Sequence, residues 1–128
     1  MIRWLAAAAV LAVAAPAAAK SSRDVAYGYD PVWITLVRFL RVDEGLKLVE
    51  KDAASGFVIF ELTEGKRTFR GAAEVMKAQD GAGQPVTRVT LRIAERPSYM
   101  EIGMLDRLEV KLREEHGEPA RPTKEEPK

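Results

Sequence analysis

One histidine, no cysteine and 19 carboxylates bound the chemistry open to this sequence. Without cysteine there is no thiolate nucleophile, no disulfide and no cysteine metal ligand. His116 stands beside Gly117, where a charged tail begins. A Ser-His-Asp arrangement needs its imidazole held by a third group, and nothing in the local sequence promises one. A single histidine without cysteine also argues against zinc or haem. No cofactor and no metal are therefore expected. Gly81-Ala82-Gly83 lies in a turn and opens no helix, so it is not a phosphate loop. The segment 52–56, Asp-Ala-Ala-Ser-Gly, lacks the oxygen ligands of a calcium loop.

Among the carboxylates, Glu50 is expected at the edge of an apolar strand face, where it is more simply a solvated strand end than a carboxylate partly withdrawn from water. It supports one enzymatic reading: a small hydrolase or isomerase using Glu50 and a tyrosine in a pocket between helices and sheet. Tyr27, Tyr29, Trp33 and Tyr99 fall near the helix ends, where aromatics close a core edge. No residue is assigned a catalytic role.

These side chains sit in a chain of ordered signals. Residues 1–19 have a positive start at Arg3, an apolar run from Trp4 to Ala15, Pro16, and small residues at Ala17-Ala18-Ala19. That is the pattern of a secretory signal peptide, too short to cross a bilayer as a mature span. Its removal takes one arginine from 20 basic residues and leaves them level with 19 acidic ones. Neutrality of this kind offers no general attraction for nucleic acid or anionic lipid. The chain is expected to be exported, periplasmic or secreted, with no transmembrane segment after cleavage.

Residues 20–29 read as a polar leader. Asp30-Pro31 then caps a helix whose inner face is Trp33, Leu36, Val37 and Leu40. Strands are predicted over 46–52, 57–64, 67–78 and 85–95. The turns between them contain Gly56, Gly65 and Asp80-Gly81-Ala82-Gly83. Ser98 and Glu101 form a capping box for a second helix, with Tyr99, Ile102, Leu105, Leu108 and Leu112 as its stripe. Gly117 ends it, and 118–128 is expected to be a disordered tail of charge and proline. The domain, 30–117, is thus a two-layer α+β fold. Its order is α-β-β-β-β-α, a four-stranded antiparallel meander with both helices on one face.

The three turns agree on one apolar sheet face: Leu46, Leu48, Val58, Phe60, Leu62, Phe69, Val75, Val89, Leu91 and Ile93. Gly71 and Ala73 are expected to leave room for a helix. The opposite face brings Val49, Phe57, Ile59 and Ala72 into an apolar island, with Lys51, Arg70, Glu74 and Arg92 at its rim. Such an island is either the ordinary scatter of surface hydrophobes or, with its apolar centre and charged rim, a surface for a protein partner or a second copy. Strands 46–52 and 85–95 are both expected to be free edges, open to added strands.

Asp30-Pro31-Val32-Trp33, Leu40, Val49-Glu50-Lys51-Asp52, Gly56 and Phe60-Glu61 together form a helix carrying Val-Trp followed by an Asp…Gly hairpin. This resembles the domains of the accessory lipoprotein of the outer-membrane β-barrel assembly machine, and of small exported envelope proteins of uncharacterised function. The resemblance implies a two-layer α/β binding module and carries over no catalytic residue. These 128 residues depart from that family in holding no cysteine to carry lipid and in showing the pattern once.

Overall fold

Alternating apolar residues need a second layer to cover them, and the two amphipathic segments supply it. The computed structural model describes residues 21–119; the expected signal peptide and most of the expected tail lie outside them. The elements run β1 (Ser21–Val25), α1 (Tyr29–Arg38), a π-helical turn (Phe39–Asp43), β2 (Lys47–Asp52), β3 (Phe57–Glu64), β4 (Arg67–Gln79), β5 (Pro85–Ile93) and α2 (Ser98–His116). The fold is α+β, with two helices on an antiparallel sheet of five strands ordered β1-β5-β4-β3-β2.

The expected four strands were one too few. Residues 21–25 are not leader but an edge strand along β5, Ser21 opposite Leu91 and Val25 opposite Thr87. Its sequence, Ser-Ser-Arg-Asp-Val, hides this because its helix-side positions are mostly polar. Ser21 donates to Glu101 at 3.0 Å, and Arg23 reaches Asp106 and Glu109, both at 2.8 Å. Strand β1 is thus held to α2 by hydrogen bonds where apolar alternation is absent. One consequence is that β5 is no free edge; β2 and β1 are the outer strands.

The β3–β4 and β4–β5 hairpin registers agree with the turn chemistry. Glu64 opposes Arg67, Phe60 opposes Gly71, and Val75 opposes Val89. Asp52 accepts backbone bonds from Ala54 (3.0 Å) and Ser55 (3.3 Å), an Asx turn. Asp80 does the same for Ala82 and Gln84, both at 2.9 Å. One sheet face packs Val58, Phe60, Phe69, Val75, Val89, Leu91 and Ile93 against Val32, Trp33, Leu36 and Leu40 of the first helical segment and Leu105, Leu108 and Leu112 of α2. Gly71 serves a different end from the one expected. A Cβ there would overlap the Phe60 ring, so the space belongs to the cross-strand aromatic and not to a helix.

Both helices depart from the expected detail. Helix α1 begins at Tyr29 with Gly28 before it and no side-chain cap, so Asp30 is a first-turn residue. The π-helical turn bonds Glu44 N–H to the Phe39 carbonyl at 2.9 Å. Phe39 continues the α-helical spacing of Val32 and Thr35 and is buried together with Leu40; the expected inner face omits it. In α2, Ser98 makes no cap bond. Tyr99 and Ile102 face water, while Glu101 and Met104 are buried.

Glu101 explains that rotation. It is wholly buried, accepting from Ser21 Oγ at 3.0 Å and from the Ile93 backbone N–H at 2.6 Å. Burying a carboxylate is tolerable only with such partners. It ties the first strand, the last strand and α2 at one point. Glu101→Ala strips the buried Ile93 N–H and the half-buried Ser21 hydroxyl of their acceptor and is expected to cost about 2 kcal/mol. Glu101→Gln, which keeps one acceptor oxygen, should cost less. Chemical denaturation of both variants checks the order.

Candidate functional site

Among the described residues helices cover one side of the sheet, so the site is built from side chains that alternate away from them. Cross-strand register fixes three rows on the uncovered face. Strand by strand, the first is Arg70, Glu61, Lys47; the second Arg92, Ala72, Ile59, Glu50; the third Thr90, Glu74, Phe57, Asp52. Ala72 sits between larger neighbours and leaves a depression of about 250 Å³ lined by Phe57, Ile59, Arg70, Gly71, Ala72, Arg92 and Ala94. A second, of about 260 Å³, adjoins it and shares Phe57, Ala72 and Arg92, adding Glu74 and Thr90. Phe57, Ile59 and Ala72 are half-buried, with Arg70, Glu74 and Arg92 exposed around them.

Six of the eight sequence-derived site residues therefore meet. Val49 and Lys51 do not join them. A β-bulge between Leu48 and Glu50 shifts the register of β2, so that Glu50 opposes Ile59 and Lys51 opposes Val58. Val49, expected opposite Ile59, is the extra residue and stands exposed at the edge. Lys51 moves to the helix side, since Val58 belongs to the core. An inserted residue exchanges faces for everything beyond it, and no turn signal marks it in the sequence.

The same shift removes Glu50 from the role open to it. It is exposed, on the helix-free face, and is not among the residues that line the depressions at either end of the sheet or on that face. The hollow between α2 and the sheet edge, about 320 Å³, is lined by Asp43, Glu44, Leu46, Leu62, Tyr99, Met100, Gly103, Met104 and Arg107. Its Glu44 carboxylate is taken by Arg107 at 2.5 and 3.2 Å, which raises the arginine pKa through that hydrogen bond.

His116 is held more firmly than its sequence position suggests. Its Nε2 lies 2.8 Å from Thr35 Oγ1, and Tyr27 donates to the neighbouring Gly117 carbonyl at 2.7 Å. Thr35 gives its one proton to Glu115 at 3.1 Å, so the imidazole Nε2–H donates to Thr35. The arrangement is no nucleophile relay. Glu115 approaches the same ring nitrogen, at 4.0 Å, whereas a relay needs the carboxylate on the other one. Thr35 is also fully buried. Arg38 pairs with Glu115 as well, and the cluster serves to bind the end of α2 to α1. Among the described residues no group of three or more His, Asp or Glu side chains is placed to hold a metal ion. No described helix is long and apolar enough to cross a membrane.

The charges of the uncovered face differ in how they are engaged. Arg88 grips Asp24 at 2.7 and 3.2 Å; that bond holds the Asp24 carboxyl below the usual carboxylate range and raises Arg88. Asp52 is likewise held low, by hydrogen bonds from Ser55 and from the Ala54 backbone. Arg70 lies a long 3.9 Å from Glu61. Among the described residues, Arg92, Glu74 and Glu50 make no ion pair within 4.0 Å. No family model matches the chain, and no curated protein matches it significantly.

Proposed function

We propose that this protein is an exported, non-enzymatic binding module that engages protein through the helix-free face of its sheet. The observation that carries the reading is the Phe57–Ile59–Ala72 centre, half-buried and recessed, inside a rim of arginine and glutamate. Apolar groups gathered on a face that no described element covers are what an interface uses at its dry centre. Export to the periplasm or medium rests on the pattern of residues 1–19. The Val-Trp helix and Asp…Gly hairpin, which resemble the domains of the assembly-machine lipoprotein, support a binding rather than a catalytic module.

Ile59→Glu tests the reading. Ile59 lies outside the buried core, so the variant should fold with a thermal midpoint within a few degrees of wild type. It should lose at least tenfold in partner or self affinity, because a carboxylate would be buried at the dry centre. Unchanged sedimentation and unchanged co-purification from an envelope fraction would refute it.

A further inference from the structure

The uncovered face is complementary to itself. In the first row Arg70 on β4 neighbours Glu61 on β3. In the second, Arg92 on β5 and Glu50 on β2 flank the pair Ala72 and Ile59. In these two rows Arg70 and Arg92 lie in the β4–β5 half, and Glu61 and Glu50 hold matching places in the β3–β2 half; Lys47 on β2 and Glu74 on β4 stand outside this pairing. A two-fold axis lying in the face, parallel to the strands and midway between β3 and β4, exchanges those halves. It sets Arg70 against Glu61 of the second copy, Arg92 against its Glu50, and Ile59 over its Ala72. Ile59 stands beside the depression that Ala72 leaves, so the operation seats each isoleucine in the other copy's recess. In the third row the same axis sets Thr90 against Asp52 and Glu74 against Phe57, a charge beside a ring, so the complementarity rests on the first two rows.

We propose that the occupant of this face is a second copy of the same chain, in an isologous sheet-on-sheet dimer centred between β3 and β4. The proposal rests on the binding reading above and names the partner. Two sheets packed this way align their strands to within about 30°. Arg92 and Glu50, which find no ion-pair partner within their own chain among the described residues, gain one across the axis. The matching patch, four strands wide and three rows long, covers roughly 400 Å² per copy, about half of a standard interface. A dimer this small is weak, and its exposed rim charges make it sensitive to salt.

Sedimentation velocity of the purified protein, from about 10 µM to 1 mM, should show reversible dimerisation that weakens as salt rises. Arg92→Glu and Glu50→Arg should each weaken it at least tenfold by setting like charges opposite one another. The double variant R92E/E50R should return to within about threefold of wild type, since the pair is restored with its signs exchanged. A monomer throughout the range overturns the proposal. So does a dimer indifferent to both single variants, or a double variant no better than either. A photo-crosslinking residue at Glu74, on the rim, separates this from the broader reading. In cells producing the protein, crosslinks between copies support the dimer. Crosslinks solely to another polypeptide overturn the second copy and keep the face as a binding surface. No protein crosslink at that position overturns both.

Discussion

Truncating Phe60 to alanine should lower the unfolding free energy by about 3–5 kcal/mol and, at the same time, make Gly71 tolerant of a side chain. Phe60 is fully buried, and its ring lies across the backbone of Gly71, its cross-strand partner. In the intact protein Gly71→Ala drives a methyl into that ring. The surrounding core cannot yield, because Val58, Ala73 and Leu91 are themselves buried around it, so the cost should be about 1–3 kcal/mol. In the Phe60→Ala background the methyl enters the vacated space, and Gly71→Ala becomes neutral or stabilising. Urea denaturation of the four proteins should give a coupling of at least about 1 kcal/mol. Additive costs would mean that the ring does not occupy the glycine's space.

Gly56→Ala should be nearly as damaging, at about 2–4 kcal/mol. Its φ of +69° lies in the left-handed region, and a Cβ would overlap both the Val75 carbonyl oxygen and the Tyr29 hydroxyl. The Gly56 carbonyl also accepts the Val75 N–H at 2.8 Å, which pins it against β4. Two controls separate strain from crowding. Gly45 and Gly65 have φ of +65° and +59° with nothing within 4 Å of a Cβ, so alanine there should cost only about 1–2 kcal/mol. Tyr29→Phe added to Gly56→Ala should not rescue it, since the Val75 carbonyl remains. Rescue by that change would assign the cost to the hydroxyl instead.

Both glycines show how function depends on the frame. The rows of the uncovered face exist because Phe60 and Gly71 interlock and Gly56 closes the β2–β3 turn beside β4. Shifting β3 against β4 by one residue would carry Ile59 and Phe57 to the helix side and abolish the recess at Ala72.

The uncovered face was legible from alternation and turn residues wherever a hairpin is regular. Gly65 and Asp80 set the β3–β4 and β4–β5 registers, and from these Phe57, Ile59, Ala72, Arg70, Glu74 and Arg92 follow. The candidate site failed to follow in β2, because a bulge is a compromise between a turn and its strand partner, with no residue of its own to announce it. Val49 and Lys51 left the face and Glu50 joined it. The self-complementary row exists only after that exchange.

The sequence by itself determined the α+β class, the four hairpin strands and the sheet face that meets the helices, because local periodicity and turn chemistry act over a few residues. Tertiary structure alone decided that Ser21–Val25 is a strand and that α2 turns Glu101 and not Tyr99 inward. In each case the deciding partner is distant in sequence. Glu101 meets Ser21 across 80 residues, and no local pattern records a hydrogen bond of that reach. A buried carboxylate with two waiting donors outweighs the helix's own apolar stripe, and that balance exists only once the sheet is closed.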